Sequence, residues 1–236
     1  MRPSIRTARV TGLLYLVLAI TGALGFLLIR PRLFTAGDPG ATLVNLVDHA
    51  TLAHAGVAVE LLIVLSQALT AAWFYRLFRS ADPVAAGGIA AFGLVNAVVI
   101  VISAAVLATA AQLASHPIGD SAATVQLLYR FSQNLWGVGS VFFGLWLIPM
   151  GRCVLRSGWM PRVLGWTLVA GGIGYLLSAF TAALAPEAQT LVNVLPLPAT
   201  VGEIWMICYL LIFGVRRDPT TDSLPNPYTA ATTTAA

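Results

Sequence analysis

The chain has 236 residues, 58% of them hydrophobic and only 9% charged, with a formal net charge of +4. Soluble domains carry about 25% charged residues, so this composition excludes an ordinary water-soluble globule and points to a polytopic membrane protein. All 13 basic residues are arginine, and they are scattered at predicted helix ends, which excludes a nucleic-acid-binding patch.

Arg2, Arg6 and Arg9 precede an apolar run over 10–29. About 20 such residues cross the roughly 30 Å hydrocarbon core of a bilayer. The run is too long for a secretory signal and no Ala-x-Ala site closes it, so it reads as an uncleaved first helix. Residues 30–52 form the longest connection. Within it Asp38 and Pro39 predict a helix start, the carboxylate capping and the proline sitting where its missing N–H costs nothing. Leu43, Val44, Leu46 and Val47 then predict an interfacial helix, or one leading directly into the next span.

The second span is predicted over 52–74 and contains Glu60. Ala53, Gly56, Glu60, Gln67 and Ala71 share one small or polar face. Trp73, Tyr75, Arg76 and Arg79 mark its aromatic and basic boundary. After a turn at 80–83 the third span covers 84–113, with Asn96 and Ser103 on one face. The fourth covers 124–149, the fifth 163–184 with Gly171, Gly172, Gly174 and Ser178, and the sixth 199–215 with Glu203. Residues 186–198 are read as a loop between the last two. Residues 1–217 thus form one six-helix transmembrane domain, followed over 218–236 by a Thr-, Ala- and Pro-rich tail predicted to be disordered.

The fold expected is all-α, a six-transmembrane-helix bundle in the cell membrane. Both termini and the turns after the second and fourth spans carry most of the arginines. The positive-inside rule therefore places both termini in the cytoplasm. No internal repeat is visible, so an inverted-repeat transporter finds no support.

Embedded ionisable groups mark function by default. On the fourth span Gln126, Arg130, Gln133, Gly137, Ser140 and Gly144 fall within about 40° of one line. In lipid such a polar and small-sided stripe is expected to face the protein. An arginine near mid-span costs about 2.5–3.5 kcal/mol, which a carboxylate partner lowers. Glu60 lies roughly 12 Å and Glu203 roughly 8 Å inside their spans at 1.5 Å per residue, with Arg130 between. The expectation is therefore one meeting point, Arg130 engaging Glu60 and Glu203 through its fork of donors. Gln126, Tyr129, Gln133 and Asn134 supply further hydrogen bonds, and His54 and Asp48 lie just above. Two readings stand side by side: a structural staple that neutralises buried charge, or a ligand-binding site.

His49, His54 and His116 are the only histidines and show neither His-x-x-x-His nor His-Glu-x-x-His spacing, so no metal site is assigned. Gly137-Val138-Gly139-Ser140 hints at an intramembrane serine protease loop, but no later span supplies a histidine base. Cys153 and Cys208 are read as small apolar filler. No cofactor is implied.

Several stretches in order carry a family resemblance. They are Ala8-Arg9-Val10-Thr11-Gly12-Leu13-Leu14-Tyr15-Leu16 leading to Thr21-Gly22, and Gly37-Asp38 before Thr42 and Asn45. Then come Phe142-Phe143-Gly144, Arg156-Ser157-Gly158-Trp159-Met160-Pro161-Arg162-Val163-Leu164-Gly165, Gly171-Gly172-Ile173-Gly174-Tyr175, and Gly202-Glu203 before Leu210-Leu211-Ile212. With these the chain resembles the bacterial membrane family named domain of unknown function 4386. The resemblance covers nearly all of the chain except the tail and implies a six-helix integral membrane protein. It brings no catalytic residues, and Ala53-His54-Ala55-Gly56 departs from the basic residue often found there.

The leading functional expectation is a membrane protein that binds or senses a small anionic or lipid-like ligand in an outward-facing pocket, with Arg130 taking the negative group. The alternatives are an intramembrane enzyme acting on lipid, with Glu60 or Glu203 as general base, and an accessory subunit of another membrane protein complex.

Overall fold

A computed structural model describes residues 3–215, and among these the regular structure is entirely helical. Helix α1 (Ile5–Ala23) runs through a π-helical stretch (Leu24–Ile29) into α2 (Arg30–Leu33). There follow α3 (Pro39–Asp48), α4 (Ala50–Phe78), α5 (Pro83–Ser115), α6 (Ser121–Ser157), α7 (Arg162–Leu184), α8 (Gln189–Val194) and α9 (Leu197–Ile212). Six segments are long and apolar enough to cross a membrane: Ile5–Leu33, Ala50–Phe78, Pro83–Ser115, Ser121–Ser157, Arg162–Leu184 and Gln189–Ile212. The chain is a multi-pass membrane protein.

Caps, more than hydropathy, set the helix ends. Ser4 accepts from the Thr7 amide, Asp38 from Ala41, Asp82 from Ala85 and Asp120 from Ala123, each satisfying a donor that the first helical turn leaves open. Gly158, at φ 67°, closes α6 in the left-handed conformation that glycine adopts without a Cβ penalty. The caps of α1, α5 and α6 lie outside the apolar runs, so these spans start before their predicted limits, and α4, which has no side-chain cap, also runs past its own to Ala50–Phe78. The last span begins earlier as well, because 186–198 is not a plain loop. It contains α8, and Pro198 occupies the first turn of α9, where proline is tolerated.

The helices close into a ring: α1 packs on α4 and α9, α4 on α5, α5 on α6, α6 on α7, and α7 on α9. Small residues set how closely they approach. A methyl on Gly151 would lie 2.5 Å from the Gly165 carbonyl oxygen, and one on Gly144 would lie 2.6 Å from that of Gly172. Backbone therefore meets backbone along the α6–α7 seam. On α5 the buried positions include Ala86, Gly93, Ala97, Ala104 and Ala111, while Leu94, Val98, Val101 and Ile102 point outwards. Lipid tails are as apolar as leucine, so the large side chains gain nothing by turning inwards.

Arg6, Arg9, Arg76, Arg79, Arg152, Arg156 and Arg162 belong to one end of this ring, and Arg30, Arg32, α3 and α8 to the other. At the arginine-rich end Asp82 is buried and its Oδ2 accepts from Arg152 Nε and Arg156 Nη1, both at 2.9 Å. These bonds tie the start of α5 to the end of α6. Arg2, Arg216, Arg217 and the predicted tail over 218–236 lie outside the described residues.

Candidate functional site

The expected meeting of Arg130 with Glu60 and Glu203 does not form. Arg130 is exposed and makes no ion pair among the described residues. Glu60 pairs instead with Arg30, whose Nη2 donates to Glu60 Oε1 at 2.5 Å. Glu203 accepts at 2.5 Å from the Tyr15 hydroxyl. Tyr15 and Arg30 are fifteen positions apart on one continuous helical segment, about 20 Å at 1.5 Å per residue. The two carboxylates therefore sit at different levels.

Both displacements have a local cause. The first span does not stop at residue 29. Pro31 lacks the N–H that would continue the α-helical ladder. The chain instead widens into π-helical pairing, the Arg30 amide reaching Gly25 O, and continues to Leu33. Arg30 thereby stays on a packed helix and its side chain reaches the interior. Glu203 lies deeper than expected because its span starts at Gln189, ten residues before the predicted start.

The buried stripe of α6 is also rotated by about one position from the predicted one. It carries Val125, Tyr129, Ser132 and Gly139, so Ser132 rather than Gln133 faces inwards. Of the predicted set, Gln126 and Tyr129 are buried, while Gln133, Asn134 and His54 are exposed. Gln126 has a fastening role: it accepts from Thr42 Oγ1 at 2.8 Å and donates to Thr35 O at 3.2 Å, pinning the segment around α3 onto α6. On α4 the predicted face is the interior one: Ala53, Glu60, Gln67 and Ala71 are buried, and Gly56 lines a small cavity.

The site that does form is built from four segments. Arg30 is 13% exposed and Glu60 3%. Arg30 Nη2 also donates to Ser132 Oγ at 2.8 Å and, more weakly, to Ser103 Oγ at 3.4 Å. Ser103 and Ser132 bond each other at 2.8 Å, and Trp136 Nε1 donates to Ser103 Oγ at 3.1 Å. The guanidinium carbon stands 4.6 Å over the Phe26 ring and 5.9 Å from the Trp136 ring, a cation–π cradle that accepts part of its charge. Phe34 stacks on Tyr129 at 5.4 Å beside it.

Arg30 borders two spaces. On one side is an enclosed cavity of about 20 Å³, shared with Glu60, Gly56 and Tyr129. On the other is an open cleft of about 660 Å³ between the π-helical stretch, α6 and α8, lined by Phe26, Phe34, Gln133, Trp136, Gln189 and Asn193 as well as Arg30. All of the arginine's hydrogen bonds leave through Nη2, so Nε and Nη1 have no partner among the described residues. Arg30 thus brings unpartnered donors to the border of a cleft with aromatic walls and amide-bearing edges. Arg30, Ser132 and Trp136 escaped the sequence reading as site residues, and Ser103 was read only as part of the polar face of the third span. The available signals were Arg30-Pro31 directly after an unbroken apolar run and the face that Ser103 shares with Asn96.

At the opposite end, hydrogen bonds from Arg152, the Ala85 amide and Arg156 hold the Asp82 carboxyl down to about 2. It is a structural clamp, since both oxygens are spent on the protein itself.

The family model for Domain of unknown function (DUF4386) matches residues 10–214. No curated protein and no solved structure matches the chain.

Proposed function

The chain belongs to the family Domain of unknown function (DUF4386), and within it we propose that this multi-pass protein binds a small anionic, lipid-like molecule in the cleft beside Arg30. The observation that carries this reading is that Arg30 borders the cleft with Nε and Nη1 unspent among the described residues, while Nη2 is held by Glu60 and Ser132. Arginine presents its donors in a planar fork that matches a carboxylate or phosphate. Phe26, Phe34 and Trp136 offer apolar surface to the ligand's body, and Gln133, Gln189 and Asn193 offer hydrogen bonds to its polar edge. Small-ligand sites have this general make-up, apolar walls with a few convergent polar groups.

Arg130 has no part in this reading; Arg30 takes the role that the sequence pattern pointed to elsewhere. The arginine-rich end faces the cytoplasm by the positive-inside rule, so the cleft opens towards the outer face of the cytoplasmic membrane.

The test is native mass spectrometry of protein released gently from its own membranes, beside two variants. Arg30→Lys keeps a cation for Glu60 but loses the free side of the fork. Asn193→Trp fills the cleft from its exposed rim and leaves the interior alone. A co-purifying small mass that is present in wild type and missing from both folded variants is the expected result. No bound mass, or one retained by both variants, overturns the reading. A co-purifying protein in its place supports the accessory-subunit alternative.

A further inference from the structure

The interior is not uniformly apolar. One buried cluster, around Phe74, Ile89, Trp146 and Met150, fills the arginine-rich half. A second, around Leu33, Leu46, Leu107 and Val125, fills the other. Between them polar and small residues are interleaved with the buried Ile63, Ala97 and Ile100. The polar and small ones are Glu60, Ser66, Gln67 and Thr70 on α4, Gly93, Asn96 and Ser103 on α5, and Ser132 and Gly139 on α6.

Five buried polar atoms in and beside this zone have no hydrogen-bond partner: Glu60 Oε2, Gln67 Oε1, Thr70 Oγ1, Asn96 Nδ2 and Trp146 Nε1. Their residues are at most 3% exposed, so bulk solvent does not satisfy them. Each orphaned polar group in a low-dielectric interior costs about 1–3 kcal/mol. Over residues 3–215 five is within the native norm of a few per 100 residues, so it is their gathering in one region that calls for a common explanation.

The orphans also fall in sequence along the bundle. Glu60 Oε2 belongs to a residue lining the 20 Å³ cavity, a volume that holds a single water. Gln67 is two turns further along α4 and its amide reaches Gly93 O at 3.4 Å. Asn96 lies one turn from Gly93 along α5 towards Ser103, at a level between Glu60 and Gln67; the Gly139 backbone is opposite it, where a methyl would lie 3.9 Å from Asn96 Oδ1 and 3.0 Å from Val99 Cγ1. The Gly93 backbone lies against the Trp146 ring, 2.9 Å from where its methyl would be. Trp146 meets Tyr15 edge to face at 5.7 Å, and Tyr15 donates to Glu203.

We propose that this seam holds buried water molecules joining the Arg30–Glu60 pair to the Tyr15–Glu203 pair past Asn96, Gln67 and Trp146 in turn. Water supplies both a donor and an acceptor, which the set requires: three of the orphans accept and Asn96 Nδ2 and Trp146 Nε1 donate. Such a chain gives a proton a route between two embedded carboxyl groups. Each water takes one proton and passes on another, so nothing is consumed. The seam is separate from the open cleft, and its test does not depend on the cleft holding a ligand.

The experiment is X-ray hydroxyl-radical footprinting of the intact wild-type protein in lipid nanodiscs, where radicals form from bound water in place. Trp146 and Met150 are both reactive, both at most 1% exposed, and one turn apart on α6. Trp146 borders the seam, whereas Met150 sits among apolar side chains. The expected result is Trp146 oxidised several-fold faster than Met150, with that excess lost in Gln67→Leu/Asn96→Leu. Equal protection of Trp146 and Met150 in the wild type overturns the proposal, and so does an excess that survives in the folded double variant. The wild-type comparison stands by itself if the variant does not fold.

Discussion

Removing the two partners of the Arg30–Glu60 pair one at a time should have unequal consequences. Arg30→Met leaves a carboxylate that is 3% exposed, with one oxygen already unpartnered and the other facing only Trp136 Nε1 at 3.4 Å. An uncompensated buried charge of this kind costs about 3–5 kcal/mol. Glu60→Gln leaves the guanidinium, which borders the open cleft and keeps Ser132 and the Phe26 face. Its cost should stay near the roughly 1–2 kcal/mol of a weakened charged hydrogen bond. At about 2–4 °C per kcal/mol for a chain of this length, Arg30→Met lowers the midpoint by roughly 6–20 °C and Glu60→Gln by roughly 2–8 °C. Thermal unfolding in one detergent, followed by tryptophan fluorescence, measures both. Arg30→Met/Glu60→Gln carries no unpaired charge and should lose less than the sum, by about 0.5–3 kcal/mol of coupling. The reasoning is refuted if Glu60→Gln is the more damaging single change, or if the two effects simply add. Arg130→Ala, the staple expected from sequence, should stay within about 0.5 kcal/mol of wild type.

Two further outcomes follow from the packing. The Asp82 carboxyl is held at about 2, below the roughly 3.9 of an unfolded chain, so its contribution to stability is complete above that unfolded value. It is lost as the pH falls towards 2; a midpoint-against-pH series should show this acid limb in wild type and a shallower one in Asp82→Asn. Gly151→Ala forces a methyl against the Gly165 carbonyl oxygen and should cost about 1–3 kcal/mol. Gly137→Ala, whose methyl meets nothing within 4 Å, should leave the melting midpoint unchanged or raise it.

Hydropathy and local chemistry were enough for the class and for much of the architecture. A bilayer offers no partner for backbone polar groups, so long apolar runs have to be helices, and six such helices are what the chain forms. Asp38-Pro39 started a helix as its capping chemistry requires. The inward face of α4 could be read because small and polar residues recur there at helical spacing without interruption. Which charges meet was a different kind of question. Arg30 was hidden behind a proline that ordinarily ends a helix, and only packing against α4 shows that the helix continues in π form to bring it to Glu60. Arg130 fitted a polar stripe equally well, yet the stripe that packs is one position round, because α5 meets α6 through Ser103 and Ser132. Periodicity resolves a face to about 100° per residue, and depth depends on where a span begins. An error of one residue in rotation or ten in a helix start is small along the chain, but it decides which side chains can touch.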